Sequence, residues 1–142
     1  MGARNAYKHF TALRIRYSEI DAQGIVFNAH YLTFYDIAIT EYLREIGYDY
    51  DGMVAATGLD FHNVRALVEY KRPIVKDAQI EIGIVCRRIG TSSITWGLAI
   101  FGKGADEIFA TGEIVWVCSK VGTHKSHPMP MALANLLTDQ AA

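Results

Sequence analysis

Cysteine is scarce in this chain: two, Cys86 and Cys118, among 142 residues. Neither sits in a CxxC or Cys/His spacing, and both lie in apolar, strand-like runs. They read as reduced core thiols rather than as a disulfide or a metal site. Such thiols fit a cytoplasmic location. Long apolar runs are absent as well: none approaches the roughly 20 residues that a membrane-spanning helix needs. The opening, Met1-Gly2-Ala3-Arg4-Asn5-Ala6-Tyr7-Lys8-His9, lacks an apolar h-region and predicts no signal peptide. Charge of one sign is missing too. A formal net charge of −1 recruits neither nucleic acid nor an anionic membrane, so an anionic ligand must be met by a local basic cluster. There are no repeats, low-complexity stretches or linkers, and no P-loop, GxGxxG or GxSxG motif.

What remains is an ordinary globular composition, 51% hydrophobic and 20% charged. The length predicts one domain over 1–142, large enough to bury a core without staples. A first strand is expected from His9 to about Tyr17, with Arg14 and Arg16 on one face. The only long helical pattern runs from about Ala29 to Ile46, with Asn28 as its expected N-cap and Gly47 as its stop. Its apolar residues cover most of the circumference, which predicts burial on nearly every side. A short helix is expected around Met53 to Ala56. Four strands follow, at Phe61–Lys71, Gln79–Arg88, Ser92–Gly102 and Glu107–Ser119, and then a short helix over Pro128 to Leu137. One long helix with about five antiparallel strands is an α+β pattern, and it cannot build a parallel doubly wound sheet. The economical packing wraps a strongly twisted sheet around the helix.

The loop Ser18 to Asn28 carries the chemistry-bearing residues. Asp21 precedes the helix by a few residues, and Gly24 lets the chain turn tightly between them. A carboxylate can thereby lie near the free N–H groups of the helix start, which polarise a carbonyl and hold an oxyanion. That is a minimal kit for acyl transfer, by direct attack or through an activated water. On spacing alone, a second use stands beside it: Asp21 satisfying amides of its own loop.

The segment from Tyr17 to Tyr31 resembles the signature of the 4-hydroxybenzoyl-CoA thioesterase family. It has an aromatic residue, Asp21 four residues on, Gly24 three beyond, the pair Ile25 and Val26, and Tyr31 opening the helix. The resemblance continues through Leu32 to Asp36, Val68 to Pro73 and Arg87 to Ser93. It implies a hotdog fold, a homodimer or homotetramer, and hydrolysis of an acyl-CoA thioester. It also implies no metal or prosthetic group, since coenzyme A enters as part of the substrate. Asp21 falls at the family's nucleophile or general base, and Asn28 at the backbone N–H that binds the thioester oxygen. Relatives in the Tol-Pal-associated acyl-CoA thioesterase branch carry His at that position, beside the Tyr matched by Tyr17. An amide there keeps the backbone role but does not shuttle protons near pH 7. Gly24, Tyr31, Glu69, Tyr70 and Lys71 match substrate-lining positions.

The phosphates of coenzyme A need a basic surface, and Lys71 with Arg72, then Arg87 with Arg88, and the hydroxyls of Ser92 and Ser93, are the candidates. His124 and His127 lack a third ligand and read as an exposed polar loop. Two other readings stand: a non-catalytic acyl-CoA-binding hotdog domain, and a thioesterase acting on acyl carrier protein. A hotdog dehydratase ranks below both, because its His–carboxylate motif is absent.

Overall fold

A computed structural model describes residues 3–141 of the chain. The ends of the expected 1–142 domain, and the first two residues of the stretch read for a signal peptide, lie outside the described residues. Five strands, β1 (His9–Arg14), β2 (Leu59–Tyr70), β3 (Gln79–Ile89), β4 (Ser93–Gly102) and β5 (Ile108–Lys120), form one antiparallel sheet in the order β1-β3-β4-β5-β2. Three helices accompany it: α1 (His30–Glu45), α2 (Tyr50–Thr57) and α3 (Met131–Ala141).

Period-two alternation sends Ile80, Ile82 and Ile84 of β3, and Ile94, Trp96, Leu98 and Ile100 of β4, to one face, where all are fully buried. That face curls around α1, the hotdog arrangement. The helix returns Tyr31, Phe34, Tyr35, Ala38, Ile39, Tyr42 and Leu43 to the same core. Gly112 of β5 lets α1 approach. A Cβ there would stand 2.3 Å from the Tyr35 ring and 2.6 Å from the Leu67 carbonyl.

Several expectations are corrected. The first strand ends at Arg14, because Tyr17–Glu19 closes into a 3-10 turn. The tail helix begins at Met131, past both prolines. Asn28 is not the N-cap of α1. Ala29 holds that place with helical backbone (φ −69°, ψ −22°) and no side-chain cap, because the turn before it is already helical. Nor is α1 buried on nearly every side: Leu32, Asp36, Thr40 and Arg44 form an exposed stripe. Its C-terminus is as expected. Gly47 adopts φ +84°, its N–H reaches the Arg44 carbonyl at 3.1 Å, and the Tyr48 N–H reaches the Leu43 carbonyl at 2.9 Å. This pair of bonds is a Schellman cap. No described helix is long and apolar enough to cross a membrane.

Candidate active site

The loop before α1 is a small hairpin. The Asp21 N–H donates to the Ile25 carbonyl at 2.9 Å, and the Gly24 N–H donates to the Asp21 carbonyl at 3.0 Å, with Gly24 at φ +77°. Such a φ favours glycine, as the sequence required. Just upstream, buried Glu19 ties the loop down. Its carboxylate accepts the Arg16 guanidinium and the Arg16 backbone N–H, each at 2.7 Å, and its carbonyl accepts the Phe27 N–H at 2.9 Å. Burial alone would raise the Glu19 pKa. The two Arg16 bonds and the Arg16 charge outweigh it and hold the carboxyl below the ordinary glutamate range. Sequence reasoning missed Glu19; its signal was the opposite charge of Arg16 three residues before it.

These restraints bring Asp21, Asn28, Tyr31, Tyr70, Lys71 and Arg72 to the wall of one cavity of about 390 Å³, with Phe27 and Pro73 as further apolar lining. Asp21 Oδ1 accepts the Gln23 N–H at 2.8 Å, so the carboxylate does satisfy a loop amide. Its Oδ2 accepts nothing among the described residues. The two uses weighed for Asp21 are therefore compatible: one oxygen orients the group, and the other is open for chemistry.

The start of α1 borders the same cavity. The Phe27 carbonyl accepts the His30 N–H at 2.9 Å, and the Asn28 carbonyl accepts the Tyr31 N–H at a long 3.4 Å. The N–H groups of Asn28 and Ala29 meet no acceptor among the described residues. They are the orphan donors of a helix start, at the positive end of its dipole. From β2, the Tyr70 hydroxyl donates to the Asn28 carbonyl at 3.1 Å. The Tyr70 ring stands edge-on to Tyr31, with centroids 4.8 Å apart. Burial, and then the neighbouring Tyr70, push the Tyr31 phenol above the ordinary tyrosine range, so it stays neutral.

Other expected site residues lie elsewhere on the chain. Tyr17 is 78% exposed and borders a separate cleft that shares only Asp21 with the main cavity. Glu69 and Arg87 face a cleft on the outer side of the sheet, where Glu69 accepts the Thr111 hydroxyl. Arg88 borders a small cleft beside Cys86 and Thr138. Ser92 and Ser93 form the β3–β4 turn, where their carbonyls accept the N–H groups of Cys118 and Gly90. Of the basic residues, Lys71 and Arg72 line the Asp21 cavity. Arg72 is paired to Glu107 at 2.5 Å, whereas Lys71 has no ion pair among the described residues. A second cavity, of about 470 Å³, lies over His62 and Asn63 at the other end of β2, against the exposed stripe of α1. Nothing in the residue pattern pointed to it. Among the described residues, no three His, Cys, Asp or Glu side chains cluster as a metal site would require.

Comparison with known proteins gives a consistent picture. Residues 23–109 match the model of the Thioesterase superfamily, a span that holds Asn28, Tyr31, Tyr70 and Lys71 and begins two residues after Asp21. The acyl-CoA thioester hydrolase YbgC of Escherichia coli is 26% identical over 121 residues, 85% of this chain and 89% of that one. The 1,4-dihydroxy-2-naphthoyl-CoA hydrolase of Thermosynechococcus vestitus is 22% identical over 116 residues, 82% of this chain and 79% of that one. Among solved structures, the PA5185 protein of Pseudomonas aeruginosa superposes with a TM-score of 0.85 at 30% identity, over 96% of this chain and 94% of that one. With most of its length inside the family match and its helix wrapped by the family's sheet, the chain belongs to the Thioesterase superfamily and is a hotdog-fold thioester hydrolase.

Proposed function

We propose that this enzyme hydrolyses an acyl-CoA, with Asp21 as the reacting carboxylate and the start of α1 as the oxyanion site. The observation that carries the reading is the single cavity that joins the open oxygen of Asp21 to Asn28, whose N–H meets no acceptor among the described residues. The finer resemblance to 4-hydroxybenzoyl-CoA thioesterases supports this chemistry and leaves the acyl group open.

In the proposed reaction the thioester oxygen lies against the Asn28 amide, which draws electrons from the carbonyl carbon. Asp21 attacks that carbon itself, or takes a proton from a water that does. The tetrahedral oxyanion forms on the helix dipole. It collapses by breaking the C–S bond, and the coenzyme A thiolate leaves. Where water attacks, the collapse releases the carboxylic acid directly; where Asp21 attacks, it leaves an anhydride between Asp21 and the acyl group, and a water then hydrolyses this to release the acid and restore the carboxylate. By either route one water is consumed, one carboxylic acid is released and the thiolate takes up a proton. Lys71 and Arg72 on the cavity wall favour a phosphate-bearing handle over a neutral one. The free thiols of Cys86 and Cys118 suit a reducing, cytoplasmic setting.

The reading includes a homodimer, or a tetramer built from it. The sheet ends in β2, a twelve-residue edge strand with Val64 59% and Leu67 38% exposed. A long apolar edge is a template for another strand. Two-fold antiparallel pairing of β2 sets the Tyr70 end of one copy beside the Leu59 end of the other. The Asp21 cavity then adjoins the His62 cavity of the second copy, and Arg87, Arg88, Ser92 and Ser93 can serve coenzyme A from across an interface.

The test is release of free thiol from a panel of acyl-CoAs (short, medium and long aliphatic, benzoyl, hydroxybenzoyl and phenylacetyl), with wild type and Asp21→Asn side by side. Turnover of at least one member by wild type, lost by a factor of roughly 10² or more in the variant, is expected. Near-wild-type turnover by Asp21→Asn ends the assignment. Silence of the wild type across a panel whose members still bind favours an acyl-binding module or an acyl-carrier-protein substrate.

A further inference from the structure

We infer, resting on the site proposed above, that Glu19 is a positioning residue: its buried carboxylate fixes the last rung of the loop hairpin and so sets the Asp21 carboxylate against the Asn28 N–H.

Asp21 lies on one arm of this hairpin and Asn28 just past the end of the other, so their spacing depends on how the rungs between them are held. Asp21 faces Ile25, Ile20 bridges Val26, and Glu19 faces Phe27. The first rung is the Asp21 N–H on the Ile25 carbonyl, and the last is the Phe27 N–H on the Glu19 carbonyl, each at 2.9 Å. Phe27 passes the restraint on. Its own carbonyl accepts the His30 N–H at 2.9 Å. That carbonyl and the Asn28 N–H belong to one planar trans peptide, so the N–H points the opposite way, out of the helix start. Glu19 therefore bonds directly to the residue whose peptide carries the proposed oxyanion donor. It also lies two residues before the reacting carboxylate.

Glu19 can impose this spacing because it cannot itself turn. Its side chain is only 7% exposed. Oε1 accepts the Arg16 N–H and Oε2 the Arg16 guanidinium, each at 2.7 Å. The Glu19 N–H donates back to the Arg16 carbonyl at 3.0 Å, so residues 16 to 19 close on themselves. Burial favours the neutral acid, but the bonds and charge of Arg16 outweigh it and keep the group ionised at neutral pH. An apolar side chain would fill the same space without the desolvation cost, but would not bind the turn to Arg16. Glu19 does not line the Asp21 cavity, so its removal leaves the substrate contacts there in place and disturbs the geometry of the reacting groups.

The experiment compares wild type, Asp21→Asn, Glu19→Ala, Glu19→Gln and Gly47→Ala on the acyl-CoA that the wild type turns over fastest in the panel above. Rates are taken well below the thermal midpoints, which are measured in parallel. Glu19→Ala is expected to lower kcat about ten- to thirtyfold with KM almost unchanged, because a misplacement on the order of 1 Å costs up to about a hundredfold. Glu19→Gln keeps an oxygen for the Arg16 N–H and is expected to recover most of that loss. Gly47→Ala lowers stability at the far end of α1 and should leave kcat intact, which separates lost position from lost stability. Should Glu19→Ala not fold, Arg16→Met takes its place. It alters a side chain that is 72% exposed and removes only the guanidinium bond, with kcat expected to fall about threefold. The carbonyl stretch of the same acyl-CoA, bound to Asp21→Asn with and without the Glu19→Ala change, supplies a second readout. The double variant should show a smaller shift to low frequency, and an unchanged shift overturns the inference. So does a wild-type kcat in Glu19→Ala, a raised KM at constant kcat, or a lowered midpoint with kcat intact, which would make Glu19 only structural. A wild type inert on the whole panel, or an active Asp21→Asn, brings down the site reading and this inference with it. Loss in Asp21→Asn without loss in Glu19→Ala or its stand-in brings down this inference alone.

Discussion

At the scale of the residue, Glu19 is the side chain whose removal separates loop order from chemistry. It does not itself line the Asp21 cavity, yet its carboxylate and carbonyl grip both ends of the loop. Its carboxyl titrates below the ordinary glutamate range in the folded protein. A depressed carboxylate contributes stability that is fully present above the unfolded-state pKa, about 4.3, and is lost as pH falls through the lowered native value. Wild type should therefore be more stable than Glu19→Gln at pH 7, and the gap should close on acidification below about pH 4. Thermal unfolding of both proteins from pH 7 to 3 measures this. A gap that does not change with pH would mean that lost packing, and not the ionised carboxylate, explains the variant. The residue pattern did single out Asp21, and its loop has the expected shape with Gly24 left-handed. It did not reveal that Tyr70 and Asn28, 42 positions apart, share a hydrogen bond. That pairing depends on where β2 crosses the helix start, and no local pattern encodes it.

At the scale of the element, α1 shows why its two ends differ in legibility. Its C-terminus is decided locally. Gly47 at φ +84° allows the Schellman bonds, and open space around the position means that only backbone strain opposes a side chain there. Gly47→Ala should cost about 1 kcal/mol and lower the midpoint by about 3 °C, with kcat unaffected, because the site is at the other end of the helix. A much larger loss, or a change in kcat, would show that the two ends of α1 are coupled. The N-terminus is decided by its surroundings. Asn28 has good capping chemistry but sits one residue too early, in a turn already coiled by the Phe27–His30 bond. A capped helix start would also have its amides occupied. The uncapped start keeps the Asn28 N–H free at the cavity wall, and the proposed chemistry uses it. The apolar breadth of α1 misled in a similar way. Seven of its residues are buried by the curled sheet, while Leu32, Asp36, Thr40 and Arg44 remain outside it in the single chain.

At the scale of the whole molecule, β2 is the open question that a mutation can answer. One face of a sheet five strands wide is filled by α1, but its β2 edge ends in unpaired backbone and exposed Val64. Val64→Lys places a charge on that edge, a device by which natural sheets prevent strand pairing. In sedimentation the wild type should run as a dimer or a multiple of it, and Val64→Lys as a monomer with most of its turnover gone. A wild type that is fully active as a monomer would discard the two-copy site, and the nucleotide would then have to rely on Lys71 and Arg72 alone. An assembly left intact in Val64→Lys would move the interface to another face.

The sequence by itself determined the architecture: one long helix, five strands with period-two burial, the turn at Gly24, the stop at Gly47 and the carboxylate at Asp21. Each of these follows from local spacing and backbone preference, which are written in neighbouring residues. Tertiary structure alone decided which of the candidate residues meet. It joined Asp21, Asn28, Tyr31, Tyr70 and Lys71 at one cavity, and sent Arg87, Arg88, Glu69 and the two serines to other surfaces of the same chain. The physical reason is the twist and curl of the sheet. They fix which distant strand ends approach the start of the helix, and they are set by packing against α1 along the whole of its buried stripe.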